Sequence, residues 1–228
     1  MKRNWVLPTW LCVCVLLMTA ASTPALGQMR LTIGRVGQME IGPSFLNLAG
    51  LNQALTDADY LPINDRMVGV GLGLTQFHRG WVVGGRTVNF MVSQSRFNGF
   101  IASLQYNYFT VYGGHVIAQK GQSFMLYPTV GIGAGLATLK ATETQQPKPP
   151  SFNAAGFLFD AALTASFFWE MPDGKGKHLH FSITGGYIRA LGNQLWEIDR
   201  FAPDVELPVQ PEGPYVRVGF GMGALKRK

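Results

Sequence analysis

Three stretches of this chain alternate glycine with large apolar residues at every second position. Residues 68–74, 130–136 and 216–223 each place bulky side chains on one side of an extended strand and mostly glycine on the other. A soluble barrel turns its bulky face inward and a polar face to water. Here the slim face fits a narrow lumen and the bulky face fits lipid, so the alternation predicts a transmembrane β-barrel.

The N-terminus has the features of an export signal. A basic start precedes an apolar run from Trp5 to Ala21, and small residues follow before Gln28. Because the run is shorter than the roughly 20 residues of a membrane-spanning helix, we expect a Sec-type signal peptide over residues 1–27, cleaved before Gln28. Such cleavage removes both cysteines, Cys12 and Cys14, and leaves a mature chain without a thiol.

The length and charge of the chain narrow its class further. At 228 residues it suits one domain, so residues 28–228 are expected to form a single outer-membrane barrel domain. Only 14% of residues are charged, against about a quarter in ordinary soluble proteins. No basic stripe is visible, so we expect no nucleic-acid partner. No uncharged apolar run of about 18 residues follows Gln28, so helical membrane spans are not expected.

Alternation between turn signals predicts an all-β fold, an eight-stranded antiparallel up-and-down barrel. A change to helical period over Leu48–Ala58 predicts one short amphipathic helix in the first long loop. In the third strand the apolar phase shifts between Trp81 and Val88, which predicts a bulge near Gly84–Gly85. The expected strands are Met29–Ile41, Arg66–Gln76, Trp81–Val92, Phe97–Val116, Phe124–Leu139, two strands flanking the turn Pro172–Lys177, and Tyr215–Ala224.

Connection lengths predict the orientation of the barrel. The links after the second, fourth and sixth strands are short, whereas those after the first, fifth and seventh are long. Outer-membrane barrels have short periplasmic turns and longer outer loops, so both termini are expected on the periplasmic side. Six aromatic residues near strand ends or on the apolar face are expected to form interfacial girdles: Tyr106, Tyr108, Tyr112, Phe167, Trp169 and Tyr215.

Several segments resemble a known family. They are Ile41–Phe45 leading into Leu51–Leu55, Leu126–Pro128 before Val130–Gly133, and Gly213–Gly221 near the C-terminus. With them the chain resembles the small, mostly uncharacterised outer-membrane β-barrel proteins of Gram-negative bacteria, especially those of Bacteroidota. The resemblance implies the fold and the location, and no established activity. Such barrels commonly end on an aromatic residue, whereas here eight residues follow Phe220.

The sequence offers little for catalysis. The alternating glycines lie within strands and lack the loop and helix N-terminus of a phosphate cradle. His178 and His180 share a strand face as half of a metal site, but no second cluster accompanies them. No serine stands in a recognisable nucleophile motif beside a histidine. We therefore expect no catalytic centre, no metal and no cofactor.

Two groups of residues are candidates for function. Arg86, Asp160 and Arg217 are the candidate lumen charges, with Arg189 and Glu170 as further ones, and Asp160 is expected to pair with Arg86 or Arg217. Recognition is expected in the outer loops, where Trp196 and Phe201 are candidate contact residues and the Leu48–Ala58 helix either caps the mouth or binds a partner.

The sequence thus predicts a structural or surface-interaction protein of the outer membrane. Its expected partners are outer-membrane lipid and an unidentified extracellular or periplasmic partner, and its lumen is expected to be largely filled by side chains. Two alternatives remain open at this point. One is a soluble periplasmic or secreted barrel that binds an apolar ligand, and the other is a lipid-modifying outer-membrane enzyme.

Overall fold

The computed structural model describes residues 32–57, 61–91, 93–97, 100–143, 151–172, 176–191, 197–198 and 212–227. The expected signal peptide and the candidate loop residues Trp196 and Phe201 lie outside these ranges.

Eight long strands form the wall of a closed barrel. Three shorter strands lie beside them, namely β4 (Ser93–Phe97), β6 (Ala118–Lys120) and β10 (Glu197–Ile198). The wall consists of β1 (Thr32–Phe45), β2 (Arg66–His78), β3 (Trp81–Phe90), β5 (Phe100–His115), β7 (Phe124–Glu143), β8 (Ser151–Glu170), β9 (Lys177–Leu191) and β11 (Gly213–Arg227).

Every neighbouring pair in the wall is antiparallel, and β11 pairs with β1 to close the ring. A row of paired residues followed around the barrel from Phe167 of β8 returns to β8 at Phe157, ten residues away. With a rise of about 3.3 Å per residue and a strand spacing of about 4.8 Å, this shift tilts the strands by about 40°. The prediction of an eight-stranded antiparallel barrel is confirmed.

The outer wall is apolar. Leu72, Ile132 and Phe220 expose 63%, 67% and 58% of their surface, and similar side chains surround the barrel. The alternating glycines of the same strands face the interior. The soluble-carrier alternative is therefore wrong, because it requires the bulky faces to point inward.

Strand β3 runs without a bulge. Its residues pair one for one with β2 and with β5 through Gly84 and Gly85, so the predicted bulge is wrong. Trp81 and Val83 face outward, whereas Val88 and Phe90 are buried in the interior. The change of apolar phase has a different cause, because the interior itself becomes apolar at this end of the barrel.

The two ends of the barrel differ in their connections. At the short-turn end, β2 turns into β3 through Arg79 and Gly80, whose positive φ angles of 53° and 85° are those of a tight hairpin. This end also holds the connections β5–β7 and β8–β9 and the start of β1. The long-loop end holds the connections after β1, β7 and β9.

Helix α1 (Ala49–Asp57) packs into the mouth at the long-loop end. Leu48, Leu51 and Leu55 are buried in one apolar cluster with residues of the barrel interior. The Asn52 amide holds the chain that returns to β2, since it donates to the Ile63 carbonyl at 2.9 Å and accepts from the Ile63 N–H at 2.8 Å. We call this cluster the apolar plug; it includes Phe90, Leu104, Tyr106, Leu139, Leu158 and Ile188. None of the helices in the described part of the chain is long and apolar enough to cross a membrane.

Four of the six predicted girdle aromatics lie inside the barrel instead. Tyr106, Tyr108, Tyr112 and Tyr215 expose 5% or less of their surface. Only Trp169, which is 56% exposed, and the outward-facing Phe167 fit the prediction. Tyr106, Tyr112 and Tyr215 fit inside because a glycine of a neighbouring strand leaves room for each ring. A Cβ added at Gly84, for example, would lie 2.5 Å from Tyr112 Cζ.

Candidate functional site

Four charged residues meet in the middle of the barrel interior. Arg86, Asp160 and Arg217, the three candidate lumen charges, expose 4%, 2% and 1% of their surface, and Glu40 exposes 2%. They come from β3, β8, β11 and β1, at inward positions set by the period of two along each strand. We call these four residues the charged layer.

Two arginines and two carboxylates alternate within the charged layer. Arg86 lies between both acids, with Nη1 3.7 Å from Glu40 Oε2 and Nε 3.9 Å from Asp160 Oδ2. Arg217 Nη1 lies 3.8 Å from Glu40 Oε2. Of the two pairings left open for Asp160, the structure therefore forms the one with Arg86. The formal charges of the four groups cancel, which is the condition for burying them together.

Neutral side chains hold three members of the layer, Glu40, Asp160 and Arg217, in position. Gln38 Nε2 donates to Glu40 Oε1 at 2.5 Å, and the Tyr215 hydroxyl donates to Asp160 Oδ1 at 2.7 Å. Arg217 donates to the Tyr108 hydroxyl, and its guanidinium carbon lies 3.9 Å from the centre of the Tyr215 ring. These contacts supply hydrogen bonds and cation–π attraction that the ion pairs alone do not provide.

Six atoms of the charged groups lack a hydrogen-bond partner among the described residues. These atoms belong to guanidinium and carboxylate groups that face each other. The N···O distances between the groups are 3.7–3.9 Å, which is longer than a hydrogen bond. The charged groups therefore attract one another mainly through their charges, and removal of one member leaves another charge buried without compensation. The atoms are Glu40 Oε2, Arg86 Nε and Nη1, Asp160 Oδ2, and Arg217 Nε and Nη1.

Glu40 is the member that sequence reasoning missed. It lies in β1, whose alternation is the least regular of the eight strands. A signal was present, because Gln38, Glu40 and Ser44 share one face of that strand. The further candidates Glu170 and Arg189 are both exposed, so they do not belong to the interior.

A second polar cluster lies inside the short-turn end. His180 Nε2 and the Tyr127 hydroxyl each lie 3.0 Å from Ser166 Oγ. Sequence reasoning found no serine beside a histidine, because β8 and β9 bring these two together across the sheet. His178 Nδ1 lies 3.0 Å from the Gly176 carbonyl oxygen.

This serine–histidine pair lacks the other parts of a nucleophilic site. His180 Nδ1 has no hydrogen-bond partner among the described residues, so no carboxylate orients the ring. Ser166 is fully buried, and Phe168 packs 4.8 Å from the His180 ring centre. The described residues also contain no group of three or more His, Cys, Asp or Glu side chains that could hold a metal ion. The geometry therefore does not favour the enzyme alternative.

Known proteins resemble the chain only in structure. No protein-family model and no curated protein matches it. One similar solved structure is that of Ail, the attachment invasion locus protein of Yersinia pestis, in complex with the heparin analogue sucrose octasulfate. It matches at 14% identity with a TM-score of 0.43, and the match covers 84% of this chain and 97% of Ail. The translocator domain of autotransporter NalP from Neisseria meningitidis matches at 8% identity and a TM-score of 0.33, covering 95% of each chain. The outer membrane protease OmpT of Escherichia coli matches at 7% identity and a TM-score of 0.31 over 91% of this chain and 99% of OmpT.

The chain's own exterior decides its location. The eight wall strands close on themselves, and each of them carries large apolar side chains that are exposed on the outside of the barrel. Charged groups are buried inside instead, which inverts the arrangement of a soluble protein. The chain is an outer-membrane β-barrel.

Proposed function

We propose that this protein is a closed outer-membrane barrel that presents its long-loop end at the cell surface for binding to partners outside the cell. The observation that supports the proposal is that its interior is blocked at two successive levels. The charged layer joins four strands across the middle, and the leucines of the apolar plug fill the mouth. A barrel filled in this way offers no solute path, so recognition falls to its loops.

The proposal includes an orientation and two contact residues. Long loops face outward in outer-membrane barrels, so α1 is on the outer side and the turn at Arg79 is in the periplasm. Trp196 and Phe201, between β9 and β11 in the sequence, are the proposed contact residues. Membership of the Bacteroidota-type family of small Gram-negative barrels is part of the same proposal and is supported by the sequence segments that resemble it.

Residues 1–27 are proposed to direct export and to be removed afterwards. N-terminal sequencing of the protein recovered from outer membranes should begin at Gln28. A sequence that begins at Met1 would contradict cleavage.

Liposome swelling tests whether the barrel is closed. Liposomes that contain the purified mature chain should swell in L-arabinose at the rate of protein-free liposomes, because the charged layer and the apolar plug block the path. Faster swelling would contradict a closed interior.

Labelling of single cysteines tests the orientation. Gln53 of α1 and Arg79 of the β2–β3 turn are both exposed. Residues 28–228 contain no cysteine, so a cysteine introduced at either position is the only thiol of the mature chain. A membrane-impermeant maleimide should label Gln53→Cys in intact cells and Arg79→Cys only after lysis. The opposite pattern would reverse the orientation.

Adhesion to phenyl-agarose tests surface interaction through the two loop aromatics. Cells that express the protein should be retained more than cells that lack it, and the double variant W196S/F201S should lose this retention. The short-turn variant Lys120→Ser, at an exposed position, serves as the control and should be retained like the wild type. Equal retention of all strains would remove the two aromatics from the proposal.

A further inference from the structure

The two ends of the barrel differ in exposed charge. Among the side chains that the structure describes, the long-loop end exposes three bases, Arg66, Lys140 and Arg189, and two acids, Asp57 and Asp65, and a third acid there, Glu212, is half-buried. Among the described residues of the short-turn end, one acid, Glu170, is exposed. Five described bases are exposed at the same end: Arg35, Arg79, Lys120, Lys177 and Lys226.

Three of the five bases lie together on the outer wall. Arg35 of β1 and Lys177 of β9 both pair with Ala224 of β11, so the two bases flank one small residue. Lys226 lies two residues further along β11, on the same outward face as Ala224. With strands about 4.8 Å apart, the Cα atoms of Arg35 and Lys177 lie roughly 10 Å from each other. We call these three residues the basic rim.

Above the basic rim, the same three strands continue with lipid-facing side chains. Met39, Met222 and Leu179 expose 56%, 63% and 48% of their surface. Gly37 lies between Arg35 and Met39 on the outward face of β1, and a Cβ added there would meet no atom within 4 Å. The basic rim thus lies at the boundary between the apolar belt and the short-turn end.

A ridge of outward aromatic rings lies beside this boundary. The ring centre of Phe181 lies 5.1 Å from that of Phe220 and 6.0 Å from that of Phe167. Phe167 in turn lies 5.3 Å from Phe124 and 6.4 Å from Trp169. The ridge spans β7, β8, β9 and β11 and therefore reaches the strands that carry Lys177 and Lys226.

We propose that the basic rim binds the phosphate group of an anionic phospholipid whose acyl chains lie along the aromatic ridge. Arginine and lysine side chains extend along an apolar surface to place their charge at the headgroup level. The Arg35 guanidinium and the Lys226 ammonium, near one small residue, offer several charge-assisted hydrogen bonds to phosphate oxygens, and Lys177 adds positive charge beside them. Clustered bases at a membrane surface attract anionic lipids in this way.

The direction of the three side chains favours lipid over peptidoglycan, the acidic polymer of the periplasm. Arg35, Lys177 and Lys226 continue the lipid-facing rows of their strands, whereas a polymer below the membrane would meet the turns at Arg79 and Lys120 first. Under the orientation proposed above, the bound lipid lies in the periplasmic leaflet. Only this choice of leaflet rests on the proposed orientation, and lipid binding itself does not.

Lipid binding can be measured on the mature chain in detergent micelles. Phosphatidylglycerol is the anionic probe and phosphatidylcholine the neutral one, and native mass spectrometry counts bound lipid. The wild type should retain phosphatidylglycerol preferentially. The variant R35Q/K226Q should bind it about thirtyfold more weakly, while R66Q/K140Q, which removes two exposed bases from the other end, should match the wild type.

A second pair of variants acts at Ala224, which is exposed between the bases. Ala224→Glu places a carboxylate among them and should abolish the preference for phosphatidylglycerol, whereas Ala224→Gln should keep most of it. Heat-dependent mobility in SDS gels verifies that each variant is folded.

Three outcomes would overturn the proposal. The first two are R35Q/K226Q binding phosphatidylglycerol as well as the wild type does, and R66Q/K140Q losing as much binding as R35Q/K226Q. The third is a protein that shows no lipid preference but sediments with purified peptidoglycan sacculi in a way that depends on the basic rim. Reversed cysteine labelling of Gln53 and Arg79 would instead defeat the proposed orientation, and lipid binding in micelles would stay independent of that result.

Discussion

The middle and the mouth of the barrel interior are filled by opposite chemistry. In the middle, Glu40, Arg86, Asp160 and Arg217 pair across the lumen, whereas at the mouth three leucines from Leu48 to Leu55 pack against aromatic and aliphatic residues of the wall. Both fill part of the barrel interior, but the first depends on charge balance and the second on packing. Substitutions in the two regions should therefore differ in size and in how they combine.

The largest effect is expected from Glu40→Ala in the charged layer. It leaves two buried guanidinium groups facing one carboxylate, and such a loss costs about 3–5 kcal/mol in the free energy of unfolding. Urea titration of the band shift in unboiled SDS gels measures it. Glu170→Ala, which removes an exposed carboxylate, should change stability by less than about 0.5 kcal/mol and is the control.

A double variant tests whether charge balance is the cause. Glu40→Gln and Arg217→Gln together remove one charge of each sign, so the pair should cost less than the sum of the single changes, with a coupling energy of about 1–3 kcal/mol. Additive costs would show that the two groups act independently and that charge balance does not hold the layer together.

In the apolar plug, Leu51→Ala should cost about 2–5 kcal/mol through lost packing and a cavity. Leu51 is fully buried, whereas Leu72 on the outer wall is 63% exposed. Leu72→Ala should therefore destabilise the barrel much less, because lipid fills the space of the removed atoms. Similar costs for the two variants would mean that α1 does not pack in the mouth.

Neighbouring glycines of β9 offer a smaller and sharper comparison. A Cβ at Gly186 would lie 2.5 Å from Tyr215 Cζ, whereas one at Gly185 would meet nothing within 4 Å. Gly186→Ala should displace Tyr215 from Asp160 and cost about 1–3 kcal/mol. Gly185→Ala should be nearly neutral. A larger loss of stability in Gly185→Ala than in Gly186→Ala would contradict the inward position of Tyr215.

The smallest effect is expected from Ser166→Ala. It removes the hydroxyl that lies 3.0 Å from both His180 and Tyr127, so the unfolding free energy should fall by about 1 kcal/mol. Lipid composition of the expressing cells should stay the same as with the wild type. A wild-type-specific change in lipid acylation that this variant loses would revive the enzyme alternative.

The outer wall was predictable from the sequence, because its alternation is local. A run such as 68–74 defines its two faces by itself, and lipid requires bulky side chains on one of them. The helix was predictable for the same reason, since Leu48, Leu51 and Leu55 repeat at helical spacing. The structure begins α1 at Ala49 and ends it at Asp57.

The interior was less predictable, because its character depends on what other strands contribute. The sequence predicts Tyr106 and Tyr215 in the girdle because aromatic residues are common there, but the glycines that leave room for their rings belong to β7 and β9. The predicted bulge failed for a related reason, as Val88 and Phe90 face an interior that α1 makes apolar. The Ser166–His180 pair forms across two strands and leaves no local motif.

The most direct test of a lipid-facing barrel is fractionation of cells that express the protein, followed by SDS gels with and without boiling. We expect sarkosyl-insoluble material of the outer membrane whose mobility changes on heating, because a closed barrel with a lipid-facing exterior resists SDS until it is boiled. Soluble protein with the same mobility before and after boiling would contradict the lipid-facing barrel and the arrangement of charges inside it.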